Sequence, residues 1–85
     1  MWRCGNLEVD GRQYIYEIVV AEFPSKLGIY SGKIVLLELY DDQNQIIANY
    51  DKKWIVAPEK GSLAYKLVSK ILKEHNFSKK RKKAV

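Results

Sequence analysis

The sequence predicts an α+β fold, a four-stranded antiparallel β-meander in order 1-2-3-4 with one C-terminal amphipathic helix packed on one face. Three observations carry that prediction. Short apolar runs separated by turn residues fill the first two thirds of the chain, Asp10-Gly11 joins the first two runs, and a stripe at helical spacing follows Pro58. With 85 residues the chain makes one domain, near the lower limit for a single core, so most of its 47% hydrophobic residues are needed for packing.

In residues 2–9, Leu7 and Val9 alternate with Asn6 and Glu8, the period of a half-buried strand. Asp10-Gly11 suits a two-residue type I′ turn, because both positions tolerate a positive φ. Residues 12–23 then return as a second strand. A two-residue loop sets Val9 opposite Arg12 and Leu7 opposite Tyr14, so Leu7, Val9, Tyr14, Tyr16, Ile18 and Val20 share the core face. Ile15, Val19 and Ala21 fall on the other face beside Gln13 and Glu17; that mixed face is a candidate homodimer seam or partner site.

Residues 24–32 form a loop that is long for a β connection and opens with Pro24. Leu27, Ile29 and Tyr30 give it an apolar load. They either cap one end of the core or contact a partner. The stretch 32–40 reads as the central strand, with Val35, Leu37 and Leu39 on one face and Ile34 and Leu36 on the other, both faces covered. A polar turn at 41–45 leads to a fourth strand, 46–50. That strand resumes at 54–57 after Asp51-Lys52-Lys53, a polar interruption that reads as a bulge or bend.

Residues 58–77 read as the helix. Leu63, Ala64, Leu67, Val68, Ile71 and Leu72 form its apolar stripe, opposite Lys66, Ser69, Lys70, Lys73 and Glu74. Ser62 suits the N-cap, although Pro58-Glu59 would also suit an earlier first turn. Asn76 suits a left-handed terminator, with Phe77 folding back on the last turn. The domain is thus expected over residues 1–77, followed by a basic tail at 78–85.

Charge is segregated along the chain. Residues 1–78 hold ten Lys or Arg and ten Asp or Glu, so the net charge of +5 resides in Lys79, Lys80, Arg81, Lys82 and Lys83. Five adjacent like charges repel and bury nothing, so this tail is expected to be disordered in isolation. With Lys66, Lys70 and Lys73 on the outward helix face, it offers a strip suited to nucleic-acid phosphates or a nucleoprotein complex. The tail alternatively serves only solubility.

No catalytic set is apparent. His75 is the single histidine and, at the helix end, reads as a solvated or capping group. Asp41 or Asp42 followed by Asp51-x-Lys53 faintly imitates the carboxylate and lysine arrangement of metal-dependent nucleases, but Asp-rich turns are commonplace. The expectation is therefore a non-enzymatic protein without metal or cofactor. One cysteine, Cys4, allows no intramolecular disulfide, fits a reducing compartment and is expected to be half-buried. No run approaches the roughly 18 apolar residues of a membrane span and no secretory leader is visible, which points to the cytoplasm.

Gly5-x-Leu7-x-Val9-x-Gly11-x-x-Tyr14, then Ser25-Lys26-x-Gly28-Ile29-x-x-Gly32-Lys33-Ile34, then Tyr50-Asp51-x-x-Trp54 form a pattern over about residues 2–58. In it the chain resembles a group of small uncharacterised proteins carried by phages and other mobile elements of Gram-positive bacteria. The resemblance implies a stand-alone accessory protein in a bacterial host cell, and it brings no catalytic residues. Two functions follow as expectations. One is binding of nucleic acid or a nucleoprotein. The other is inhibition of a host defence protein in the anti-CRISPR manner, for which an acidic DNA-mimicking surface is lacking.

Overall fold

The computed structural model describes residues 1–76. It contains strands β1 (Trp2–Val9), β2 (Arg12–Val20), β3 (Ile34–Tyr40), β4 (Ile46–Asp51) and β5 (Trp54–Val56), then helix α1 (Leu63–His75). The strands form one antiparallel sheet in the order β1-β2-β3-β4-β5, with α1 packed on it. The α+β class and the meander are as expected. The strand count is five rather than four. Lys52 takes a left-handed conformation (φ 63°) and the Asp51 N–H donates to the Lys53 carbonyl at 2.9 Å, so the polar interruption reverses the chain instead of bulging it. Tyr50 then pairs with Trp54.

The first hairpin has the expected register, with Val9 opposite Arg12 and Leu7 opposite Tyr14 around Asp10 (φ 54°) and Gly11 (φ 79°). The face assignment of β3 needs correction. Val19 pairs with Leu36 but Val20 pairs with Ile34, so Val35 is the extra residue of a bulge and the side chains change phase there. Ile34, not Val35, therefore joins Leu37 and Leu39 in the core. Leu36 is only half-buried, because no second layer covers its face.

The core lies between one sheet face and α1. Tyr14, Tyr16, Ile18, Val20, Leu37, Leu39, Ala48 and Tyr50 meet Leu67, Val68, Ile71 and Leu72 there, with Ile29 closing one end. The helix starts at Leu63 rather than Pro58. Gly61 is left-handed (φ 85°), which a helix cannot continue through, and the Ser62 hydroxyl then caps the start by accepting from the Tyr65 N–H at 3.1 Å. Leu63, at the first helical position, stays 39% exposed, so the buried stripe begins one turn later than its sequence pattern.

Asn76 is not a left-handed terminator. It is right-handed (φ −84°, ψ −27°) and fully buried. Its side-chain oxygen accepts from the Ile34 N–H and its amide donates to the Ile29 carbonyl, both at 2.8 Å, while the Lys33 N–H donates to its backbone carbonyl at 2.7 Å. The helix end is thereby stitched to the loop before β3. His75 is likewise not a solvated end group. Its Nδ1 lies 3.0 Å from the Arg3 guanidinium and its Nε2 3.3 Å from the Tyr16 hydroxyl. Guanidinium nitrogens only donate, so Nδ1 is the acceptor in the first contact. Cys4, expected half-buried, is exposed, because it sits on the edge strand β1 opposite Glu17 on the uncovered face. Phe77, placed on the last helical turn by the sequence, and the tail at 79–83 lie outside the described residues.

Candidate nucleic-acid interface

Lys66, Lys70 and Lys73 are four and three residues apart on α1 and all exposed, opposite the buried Leu67, Val68, Ile71 and Leu72. The spacing of one helical turn puts the three ammonium groups on one face. With Ser69 and Glu74 they line a shallow hollow of about 400 Å³, in which Glu74 is the acidic member. Lys73 also stands in the last turn, where a cation complements the helix dipole, so part of its role is local.

This lysine face runs into a second feature that the sequence did not announce. A cleft of about 250 Å³ opens between the helix flank and β5, lined by Tyr30, Trp54, Pro58, Lys60 and Tyr65, with Ser69 and Leu72 along the helix side. A further hollow touches Tyr30, Ser69, Leu72 and Lys73, so Ser69 borders all three depressions and Lys73 two of them. Ser69 thus links the cleft lined by Lys60 to the hollow lined by Lys66. Trp54 meets Tyr50 edge-on, with ring centroids 5.1 Å apart and planes at 74°. The sequence signal for the cleft was faint: Tyr65 sits between the apolar stripe and Lys66, and Trp54 stands alone in a three-residue strand.

Of the three loop residues proposed to contact a partner, Ile29 is fully buried, whereas Leu27 and Tyr30 are 53% and 67% exposed. Tyr30 and Ser31 are both left-handed (φ 52° and 58°) within a 3-10 turn at Ile29–Ser31. Strain of this kind persists only where the surroundings enforce it. Here the Asn76 contacts hold one side, and the Tyr50 hydroxyl donates to the Leu27 carbonyl at 2.9 Å on the other.

The uncovered sheet face carries Ile15, Tyr40 and Ile46 in one row and Val19 and Leu36 in another, with Ile15 45% exposed. Between the rows Glu17 stands directly opposite Glu38. Tyr40 donates its hydroxyl to Glu38 at 2.8 Å, and that bond, with burial and the charges of Glu38 and Glu17, raises the Tyr40 hydroxyl above its ordinary 10.0. Burial first, then the Glu74 carboxylate, raises Tyr16 in the same way.

The nuclease-like carboxylates are not brought together. Asp41 follows β3, Asp51 ends β4, and the six residues of that strand, about 3.3 Å each, separate the turns at its two ends. Asp41 instead accepts from the N–H groups of Gln43 and Gln45, both at 2.9 Å, and so shapes its own turn. Among the described residues no three His, Cys, Asp or Glu side chains are grouped to hold a metal ion. No helix among the described residues is long and apolar enough to cross a membrane.

A family model described as a domain of unknown function, DUF7678, matches residues 1–76. The chain belongs to the DUF7678 family. That match covers the sheet, the helix and the terminal Asn76, so the DUF7678 domain coincides with the fold described above. No curated protein and no solved structure matches the chain.

Proposed function

We propose that this DUF7678 protein is a non-enzymatic binding module of a phage or mobile element, which contacts nucleic acid or a nucleoprotein complex through the basic face of α1 and the tail that follows it. The observation that carries this reading is the shared exposed face of Lys66, Lys70 and Lys73, continuous with a cleft that adds Lys60. Lys79, Lys80, Arg81, Lys82 and Lys83 follow the same helix in the chain and extend its charge. Phosphates are recognised mainly by such cations, without reading base edges. Mobile-element origin rests on the resemblance of the glycine and aromatic pattern.

Filter binding with an unrelated duplex and single strand at two salt concentrations is the test. Each phosphate neutralised contributes about −0.9 to the slope of log affinity against log salt for a duplex, so deleting residues 79–85 flattens that slope by up to about 4.5. Lys66→Gln and Lys70→Gln each flatten it by about 1 more. No detectable affinity at low salt for either strand form would sink the reading.

A second reading is favoured by one observation, the uncovered sheet face with Ile15, Tyr40 and Ile46 in a row. Apolar area of this kind marks protein interfaces. On this reading the protein inhibits a host defence complex in the anti-CRISPR manner, or pairs with a second copy. Loss of target cleavage by a purified CRISPR effector on adding the protein, abolished by Ile15→Lys, is the expected result for inhibition. Light scattering on the eluted protein reports the dimer.

A further inference from the structure

We propose that the cleft lined by Tyr30, Trp54 and Tyr65 receives an unstacked base of a single-stranded nucleic acid, with the adjoining phosphates carried by Lys60 in its lining and Lys73 in the neighbouring hollow. This rests on the nucleic-acid reading above and narrows it to one class of ligand.

Three aromatic side chains, Tyr30, Trp54 and Tyr65, line the cleft beside Pro58 and Leu72, and aromatic rings bind any base through its π-face. In a duplex those faces are occupied by neighbouring base pairs, so only a splayed single strand can present one. A volume of about 250 Å³ falls below the size of pockets that hold cofactors and drug-sized ligands, so it suits a single planar ring. Lys60 lines the cleft itself, while Ser69 and Tyr30 link it to the hollow bordered by Lys73. A polyanion with regularly spaced rings matches that alternation of ring and cation.

Tyr30 supplies an independent indication. An aromatic side chain is held 67% exposed at the edge of the cleft by two consecutive left-handed residues, neither of them glycine. The Asn76 and Tyr50 bonds fix the backbone of the turn and Ile29 is its buried side chain, so the core makes no use of the Tyr30 ring. Strained backbone that presents an exposed ring beside a cleft is the pattern expected of a binding contact.

Trp54 lines the cleft on edge strand β5, whereas Trp2 lies on β1 at the opposite edge of the sheet. In a Trp2→Phe background Trp54 is the sole tryptophan and reports on the cleft. That protein is titrated at low salt with oligodeoxyuridylate and oligouridylate of about ten nucleotides, and with a duplex of similar length. Single strands are expected to quench Trp54 emission. Tyr30→Ala is expected to weaken their binding by about fivefold or more, with Tyr30→Phe restoring it and duplex affinity unchanged by either. Tyr65→Ala, which removes a second ring of the lining, repeats the loss. A preference between the deoxyuridylate and uridylate strands, which differ in the sugar alone, distinguishes DNA from RNA as the strand that enters. If single strand and duplex bind alike, Trp54 emission is unmoved and Tyr30→Ala has no effect, the cleft proposal is overturned while the lysine face stands. If neither binds, the nucleic-acid reading itself is overturned.

Discussion

Asn76 and Ile34, 42 residues apart, are joined by a buried hydrogen bond of 2.8 Å from the Ile34 N–H to the Asn76 side-chain oxygen. The same amide group donates to the Ile29 carbonyl. Truncation to alanine leaves a buried donor and a buried acceptor unpaired, at a cost of about 2–4 kcal/mol. Asn76→Asp keeps the acceptor, loses the donor and buries a charge, so it does not rescue. Denaturant unfolding measures both, and a loss below about 1 kcal/mol for Asn76→Ala would show the bond to be dispensable.

Gly32 packs against that same side chain, where a Cβ would overlap the Asn76 amide. Gly32→Ala is therefore expected to destabilise the wild-type chain and to cost much less once Asn76 is alanine, which vacates the space. A double-mutant cycle on melts gives the coupling. Additive effects would mean that the two positions do not meet.

Much of the fold was legible because local chemistry and tertiary packing agree. Asp10-Gly11 fixed the first hairpin, its register placed Tyr14, Tyr16, Ile18 and Val20 in the core, and the stripe from Leu67 to Leu72 identified the face of α1. The misassigned elements depend on relations that periodicity does not carry. Val35 is a bulge residue, and a bulge reverses the faces before it without altering the apolar composition. Asp51-Lys52-Lys53 turns the chain through a left-handed lysine, which has no glycine or asparagine to advertise it. Asn76 resembles a cap in sequence, yet its partners Ile29 and Ile34 are more than 40 residues away. For the candidate site, the helix lysines were readable at helical spacing. The cleft was not, because Tyr30, Trp54 and Tyr65 come from a loop, a strand and a helix.

Leu67 and Ile71 occupy the centre of the buried helix face. Alanine at either position should cost about 2–5 kcal/mol, a large share of the stability of a domain this small. Lys66→Ala and Lys70→Ala, on the exposed face, should fall within about 0.5 kcal/mol of wild type. Thermal melts that ranked the two pairs in the reverse order would contradict the helix orientation, and with it the placement of the lysine face.

Tyr40 donates to the Glu38 carboxylate, and this bond is the leading cause of its raised titration. The neutral phenol is the bonded form, so the folded chain retains that proton at a pH where the unfolded chain has lost it. Its contribution to stability is complete below the unfolded value of about 10 and is lost as pH rises through the folded value. In Glu38→Gln the Tyr40 midpoint should fall back toward 10.0. Ring-carbon NMR resolves the individual tyrosines, and an unchanged midpoint would assign the rise to burial instead.

Glu17 faces Glu38 across β2 and β3, and among the described residues neither carboxylate joins an ion pair. Like charges directly opposite on a sheet are destabilising by roughly 0.2–1 kcal/mol. Glu17→Thr removes the repulsion and places a strand-favouring side chain at the site, so the melting temperature should rise. The gain should be larger at 0.01 M salt, where the Debye length is about 30 Å, than at 0.15 M, where it is about 8 Å. The pair also bears on self-association. A second copy laid face to face brings two such pairs together, so a dimer through this face should be tightened by Glu17→Gln, whereas a cation-bearing partner should lose affinity. Light scattering on Glu17→Gln reports the tightened dimer. A melting temperature that falls on Glu17→Thr would mean that the carboxylate has a stabilising contact on the open face.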